Sequence, residues 1–155
     1  DACGAAAMWA KFFEKTQEEL CGTGVYGDPG LADAVRNDKY GVGYNNLIYL
    51  YDSKTKKVVE GLAIIPIDLN NNRTIDPEEK IYASMNEAIE AIQQDIYPAP
   101  PARELYFVSK GKPSDPVVNS FLQYILTEGQ ELIDSTGYVQ VTDDKIVQEL
   151  TNLNR

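Results

Sequence analysis

No histidine occurs anywhere in the chain, which excludes Ser-His-Asp and Cys-His catalysis and every histidine metal site. Only two cysteines are present, Cys3 and Cys21. On one continuous helix they would stand roughly 25 Å apart, at 1.5 Å per residue. A disulfide needs Cα atoms within about 7 Å, so two free thiols are expected. Without a histidine base, Cys3 at a helix start is not expected to act as a hydrolase nucleophile. No apolar run is long enough to span a bilayer. Basic residues are scarce: 14 lysines and arginines face 24 acids, for a net charge of −10. That balance argues against nucleic acid or an anionic membrane as partner. Any bound anion must then be held by local dipoles, not by the overall field. The chain begins at Asp1, with neither an initiator Met nor a signal peptide. It reads as a fragment of a longer precursor.

What is present suits one domain, or part of a larger one, with 43% apolar residues to build a core. Ala5, Ala6, Ala7, Met8, Trp9, Phe12 and Phe13 predict a first helix over residues 4–20, stopped by Gly22. Asp28-Pro29-Gly30 turns into a short helix over 31–37. Residues 42–51 read as a strand, with a hairpin partner over 57–67 across the polar turn at 52–56. Tyr40, Tyr44, Tyr49 and Tyr51 stand there either as sheet packing or as a binding face. Ser84-Met85-Asn86-Glu87 is a capping box opening a helix that carries Ala88, Ile89, Ile92 and Ile96. Residues 97–102 form an extended proline-rich connector. Residues 105–108 read as a strand. Ser114 or Asp115 caps a long helix with Pro116 in its first turn, ended by Gly137. A last amphipathic helix covers 143–153. Helices interleaved with strands favour a sheet flanked by helices.

The helix start at Cys3, Gly4 and Ala5 bears only small side chains. Its first backbone N–H groups lack helical partners and carry the positive end of the helix dipole, so an oxyanion can approach closely. Further along, Gly24 to Val35 (GVYGDPGLADAV), followed by Tyr40-Gly41-Val42-Gly43-Tyr44, resembles a segment of the substrate-binding proteins of phosphate ABC transporters. Tyr97-Pro98 through Arg103-Glu104-Leu105-Tyr106 agrees with the same family. So does Phe121-Leu122 through Gly129-Gln130, closing on Gly137-Tyr138-Val139. The resemblance covers the chain from Asp1 to about Val141.

The resemblance implies an α/β fold, part of a type II periplasmic-binding-protein-like two-lobed architecture with a mixed sheet flanked by helices. Residues 1–97 would belong to one lobe and 98–104 to a crossover linker. Residues 105–155 would belong to the other lobe or pack on the first. It implies an extracytoplasmic, periplasmic or cell-surface component that binds phosphate or a related tetrahedral oxyanion and is read by a membrane permease, with no catalysis. In that family an arginine, an aspartate and Ser-Gly-Thr surround the anion. Here Cys3, Gly4 and Ala5 stand at the tripeptide, so two hydroxyl donors are absent and the amides of Gly4, Ala5 and Ala6 remain. The family's arginine would lie upstream of Asp1. Sheet edges left by missing upstream strands would favour a homodimer of the fragment.

A second pattern stands on its own residues. Residues 68–79 (DLNNNRTIDPEE) follow the calcium loop D-x-[DN]-x-[DN]-G-x-[ILV]-x-x-x-E. Oxygen ligands for Ca2+ would come from Asp68, Asn70, Asn72, the Thr74 carbonyl, Asp76 and bidentate Glu79, with Ile75 as the apolar anchor. Arg73 occupies the glycine position. The alternative to a metal loop is an Asx-rich turn whose side chains bond the local backbone. A calcium-stabilised extracytoplasmic interaction module is therefore the alternative to anion transport.

Overall fold

Alanines at the start of the chain make a strong helix, but not the long one that apolar spacing alone predicts. The computed structural model describes residues 4–154, the side chain of Asp134 excepted. Helix α1 runs over Gly4–Phe12 and buries Ala6 and Ala10. It stops there because Glu14 turns left-handed at φ 57°. The amide of Lys15 then bonds the carbonyl of Ala10 at 2.8 Å, and that of Glu14 the carbonyl of Lys11 at 3.0 Å. These two bonds make a Schellman close. Trp9 packs edge-on against Phe12 at 5.5 Å between ring centroids, and lies 6.4 Å from Tyr44.

Helix α2 covers Gly27–Asn37. The Asn45 side-chain amide donates to the Asp28 backbone carbonyl at 2.8 Å and the Asn46 side-chain amide to the Asp28 carboxylate, tying the next segment to the start of α2. Gly43 lies tightly against this helix. A Cβ there would sit 2.8 Å from Leu31 and 2.9 Å from Val35. A single turn, α3, follows at Leu47–Leu50. The chain then reverses over residues 52–57, where the Asp52 carboxylate accepts from the amides of Lys54 and Thr55.

The core gathers behind that reversal. Tyr51 and Met85 are fully enclosed, with Ala88, Ile89 and Ala91 beside them. Met85 opens α4, Met85–Gln93, and its amide bonds the Lys56 carbonyl at 2.8 Å. Ser84 caps the helix by accepting from the Glu87 amide at 3.2 Å. The Glu87 carboxylate reaches back to the amide of Ala83. This helix also ends in a Schellman close. Asp95 is left-handed at φ 56°, and the Ile96 amide bonds the Ala91 carbonyl at 2.8 Å.

The chain divides into two compact units, Asp1–Arg103 and Glu104–Arg155. In the second, α5 spans Pro116–Leu126 under an Asp115 cap that accepts from Val117 and Val118. It does not continue to Gly137. Thr127 leaves helical geometry, and the chain crosses so close to the Tyr124 carbonyl that a Cβ at Gly129 would meet it at 2.9 Å. A tighter 3₁₀ segment, Glu128–Thr136, follows and ends on left-handed Gly137. Gln130 is buried and bonds the Ile125 carbonyl and the Val141 amide. Helix α6 covers Asp143–Asn154, and its Asn154 meets Gln123 of α5 at 3.3 Å.

The expected α/β architecture with a mixed sheet is corrected here. Among the described residues there are helices and no strand, and pairing is limited to one antiparallel bridge between Tyr51 and Val58. Part of the strand expected at 42–51 winds into α3. The runs over 57–67 and 105–108 meet no neighbour that could complete a ladder. A strand gains stability only when its N–H and C=O groups find lateral partners. The two-lobed, sheet-based fold inferred from resemblance falls with the sheet.

Candidate anion site and calcium loop

Gly4 and Ala5 lie in the first turn of α1, while Cys3 lies outside the described residues. Gly4 is exposed. Across it lies a residue of the expected crossover linker, 98–104. The Arg103 guanidinium approaches so closely that a Cβ on Gly4 would meet both Nη1 and Nη2 at 2.5 Å and Cζ at 2.6 Å. Gly4 therefore allows an approach that alanine would block. A cation at the positive end of a helix is disfavoured by about 0.3–1 kcal/mol. Among the described residues Arg103 has no carboxylate partner. A guanidinium beside the first turn of a helix is a combination of groups that suits a tetrahedral oxyanion. Nothing along the chain marks Arg103 as a neighbour of Gly4, from which it is far removed in sequence.

The second candidate, residues 68–79, is brought together as one closed loop. Glu79 is buried, and both of its carboxylate oxygens are used. Oε1 accepts from the amides of Leu69 at 2.6 Å and Asn70 at 3.3 Å, and Oε2 from Asp76 at 2.9 Å. Asp68 accepts from the amides of Asn72 at 3.2 Å and Arg73 at 2.7 Å. The side-chain amides of Asn70 and Asn72 donate to Asp76 Oδ2 at 2.9 and 2.7 Å. The Asn72 side-chain oxygen Oδ1 accepts from the amide and hydroxyl of Thr74. Asn71 and Arg73 are left-handed, at φ 58° and 67°. Arg73 thus holds the turn that glycine would normally make, at a cost of about 1–2 kcal/mol.

Three carboxylates and three neutral oxygens form a donor set that fits a hard cation such as Ca2+. Asp68, Asn70, Asn72, the Thr74 carbonyl, Asp76 and Glu79 would hold it. A bound ion would supply a cross-link across the loop. Among the described residues no three acidic or cysteine side chains converge as a metal cage. The carboxylates are instead spent on backbone amides and asparagine side chains. Cys21 is exposed with a free thiol. A shallow depression lined by Lys80, Ile81, Glu87, Glu90, Ala91, Gln94 and Ile96 shares no residue with either. No helix of the described residues is long and apolar enough to cross a membrane. No family model, curated protein or solved structure matches this chain.

Proposed function

We propose that the chain is an extracytoplasmic solute-binding component of an ABC transporter. It takes phosphate or a related tetrahedral oxyanion at the start of α1, delivers it to a membrane permease and performs no catalysis. The observation that supports this reading is the placement of the Arg103 guanidinium over Gly4 at the positive end of α1. The similarity of segments 24–44, 97–106 and 121–139 to phosphate-binding proteins points the same way. The reading rests on the helix start and Arg103, and it needs no sheet.

Calorimetric titration of inorganic phosphate into the chain tests it. Saturable binding is expected, weakened roughly 10-fold to 150-fold by Arg103→Ala, since a charge-assisted bond contributes about 1.5–3 kcal/mol. Absence of heat from a folded, monodisperse chain, or equal affinity in Arg103→Ala, removes the anion reading.

The second reading is a calcium-stabilised extracytoplasmic interaction module. The left-handed Asn71 and Arg73 within residues 68–79 favour it. Under this reading millimolar calcium raises the melting temperature and magnesium does so less. Glu79→Gln abolishes the rise, because a bidentate carboxylate is lost. Identical melting with calcium and with chelator excludes a calcium role.

A further inference from the structure

Residues 105–108 are the most unusual surface of the second unit. Four consecutive apolar or aromatic side chains stand open: Leu105 is 66% exposed, Tyr106 71%, Phe107 70% and Val108 93%. The segment forms neither helix nor turn, and its amides bond to nothing among the described residues. On one side Phe107 touches Phe121 of α5 edge-on at 6.4 Å. Phe121, Val117 and Val118 are exposed too and widen the strip. A run of unpaired backbone flanked by β-formers is a template for another strand.

The charges at its two ends select the occupant. Glu104 precedes the run and Lys110 follows it. Antiparallel pairing of the segment with itself, about a two-fold axis at Phe107, sets Glu104 of each copy opposite Lys110 of the other. The same register places Phe107 against Phe107 and Tyr106 against Val108. Aromatic pairs, aromatic–β-branched pairs and opposite charges are the cross-strand pairs that stabilise a ladder. Moving the axis to the bond between Tyr106 and Phe107 would set Glu104 against Ser109 and Arg103 against Lys110. Within its own chain Glu104 meets the Tyr106 hydroxyl and, at 3.5 Å, Lys145. Lys110 has no ion-pair partner among the described residues.

We propose that residues 104–110 are a self-pairing strand, through which a second copy of this chain docks antiparallel about a two-fold axis at Phe107. The contact is isologous, so it closes at a dimer and does not propagate. It covers part of the open apolar strip of both copies and pairs the alternate amides of each segment that face the partner. It is independent of the anion and calcium readings.

Sedimentation equilibrium of the whole chain over a range of concentrations tests it. A monomer–dimer equilibrium is expected. Lys110→Glu sets like charges opposite each other twice and should weaken the dimer roughly tenfold. Adding Glu104→Lys restores the opposite pairing and the affinity. Phe107→Cys, with Cys3 and Cys21 replaced by serine, reports the register. Residues at the axis lie about 4.5–5.5 Å apart, within disulfide reach, so oxidation gives a covalent dimer. Val108→Lys should abolish dimerisation without loss of helical signal, because that side chain is almost wholly exposed. A chain that stays monomeric at every concentration overturns the proposal. So does a dimer indifferent to Lys110→Glu, or a monomer that binds lipid vesicles through the same strip.

Discussion

Tyr51 is buried, yet its hydroxyl keeps one bond, donated to the Tyr82 carbonyl at 2.9 Å. Burial, with Tyr82 and Glu87 nearby, pushes its phenol up to about 12. Tyr97 and Tyr82, in edge-on contact at 6.4 Å, are likewise pushed up, chiefly by burial. A phenol whose folded pKa lies above its unfolded value, about 10, holds its proton more tightly when folded. Its stabilisation is complete below that unfolded value and is lost as pH rises through the folded one. The first unit should therefore lose stability between pH 10 and about 12. Melting temperature followed across that window should fall less steeply in Tyr51→Phe, which has no proton to lose there. Equal slopes would show that Tyr51 does not carry the alkaline transition. On the acid side the sign reverses. Asp52 is held below its ordinary range by the Thr55 amide, so its contribution is present above the unfolded pKa and fades as pH falls. Glu79 poses a different problem, a buried carboxylate with three backbone amides on it. That arrangement can be read from the sequence only as spacing, because the loop pattern fits a calcium cage and a self-bonded turn equally well.

At the scale of elements, helix starts could be read far better than helix ends or strands. Ser84 with Glu87, and Asp115 with Pro116, are caps whose chemistry is local, and both form as their side chains dictate. The closes of α1 and α4 were hidden, because Glu14 and Asp95 take left-handed positions that usually advertise themselves as glycine. Strands were misread for a related reason. Alternation and β-branched residues report what a segment would do beside a neighbour. Among the described residues, 42–51 meets one only at the Tyr51–Val58 bridge, and 105–108 meets none. The hidden closes yield a prediction. Glu14→Gly and Asp95→Gly each relieve a left-handed non-glycine residue, against a small added entropy in the unfolded chain. Each is expected to stabilise by about 0.5–1 kcal/mol. Ser84→Ala should destabilise by about 1 kcal/mol. Urea titrations of the three variants give the signs directly, and a destabilising Glu14→Gly would show that the Schellman close at α1 does not form in solution.

The whole molecule joins an acidic surface to many open apolar side chains, and these pull against each other. A net charge of −10 keeps copies apart, while the strip over 105–108 and the outer face of α5 invite contact. The candidate anion site stands in the same tension. It needs a local cation at a helix start because the overall field repels its ligand, and Arg103 is the residue so placed. Arg103 escaped the sequence reading because its partner is ninety-nine residues away, and no pattern along the chain marks such a pair. The sheet was overcalled for the opposite reason, since strong local β character says nothing about distant partners. Far-ultraviolet circular dichroism separates the two architectures. A chain whose described residues form α1 to α6 and the 3₁₀ segment Glu128–Thr136, with one isolated bridge, should give a helical spectrum with little sheet signal. Pairing of residues 104–110 adds only two short strands, so that spectrum should stay helical as concentration rises into the dimer range. A spectrum dominated by sheet at low concentration would mean that the runs over 42–51 and 57–67 pair within one chain. In that case the helical arrangement around Tyr51 and Met85 would not be the one in solution.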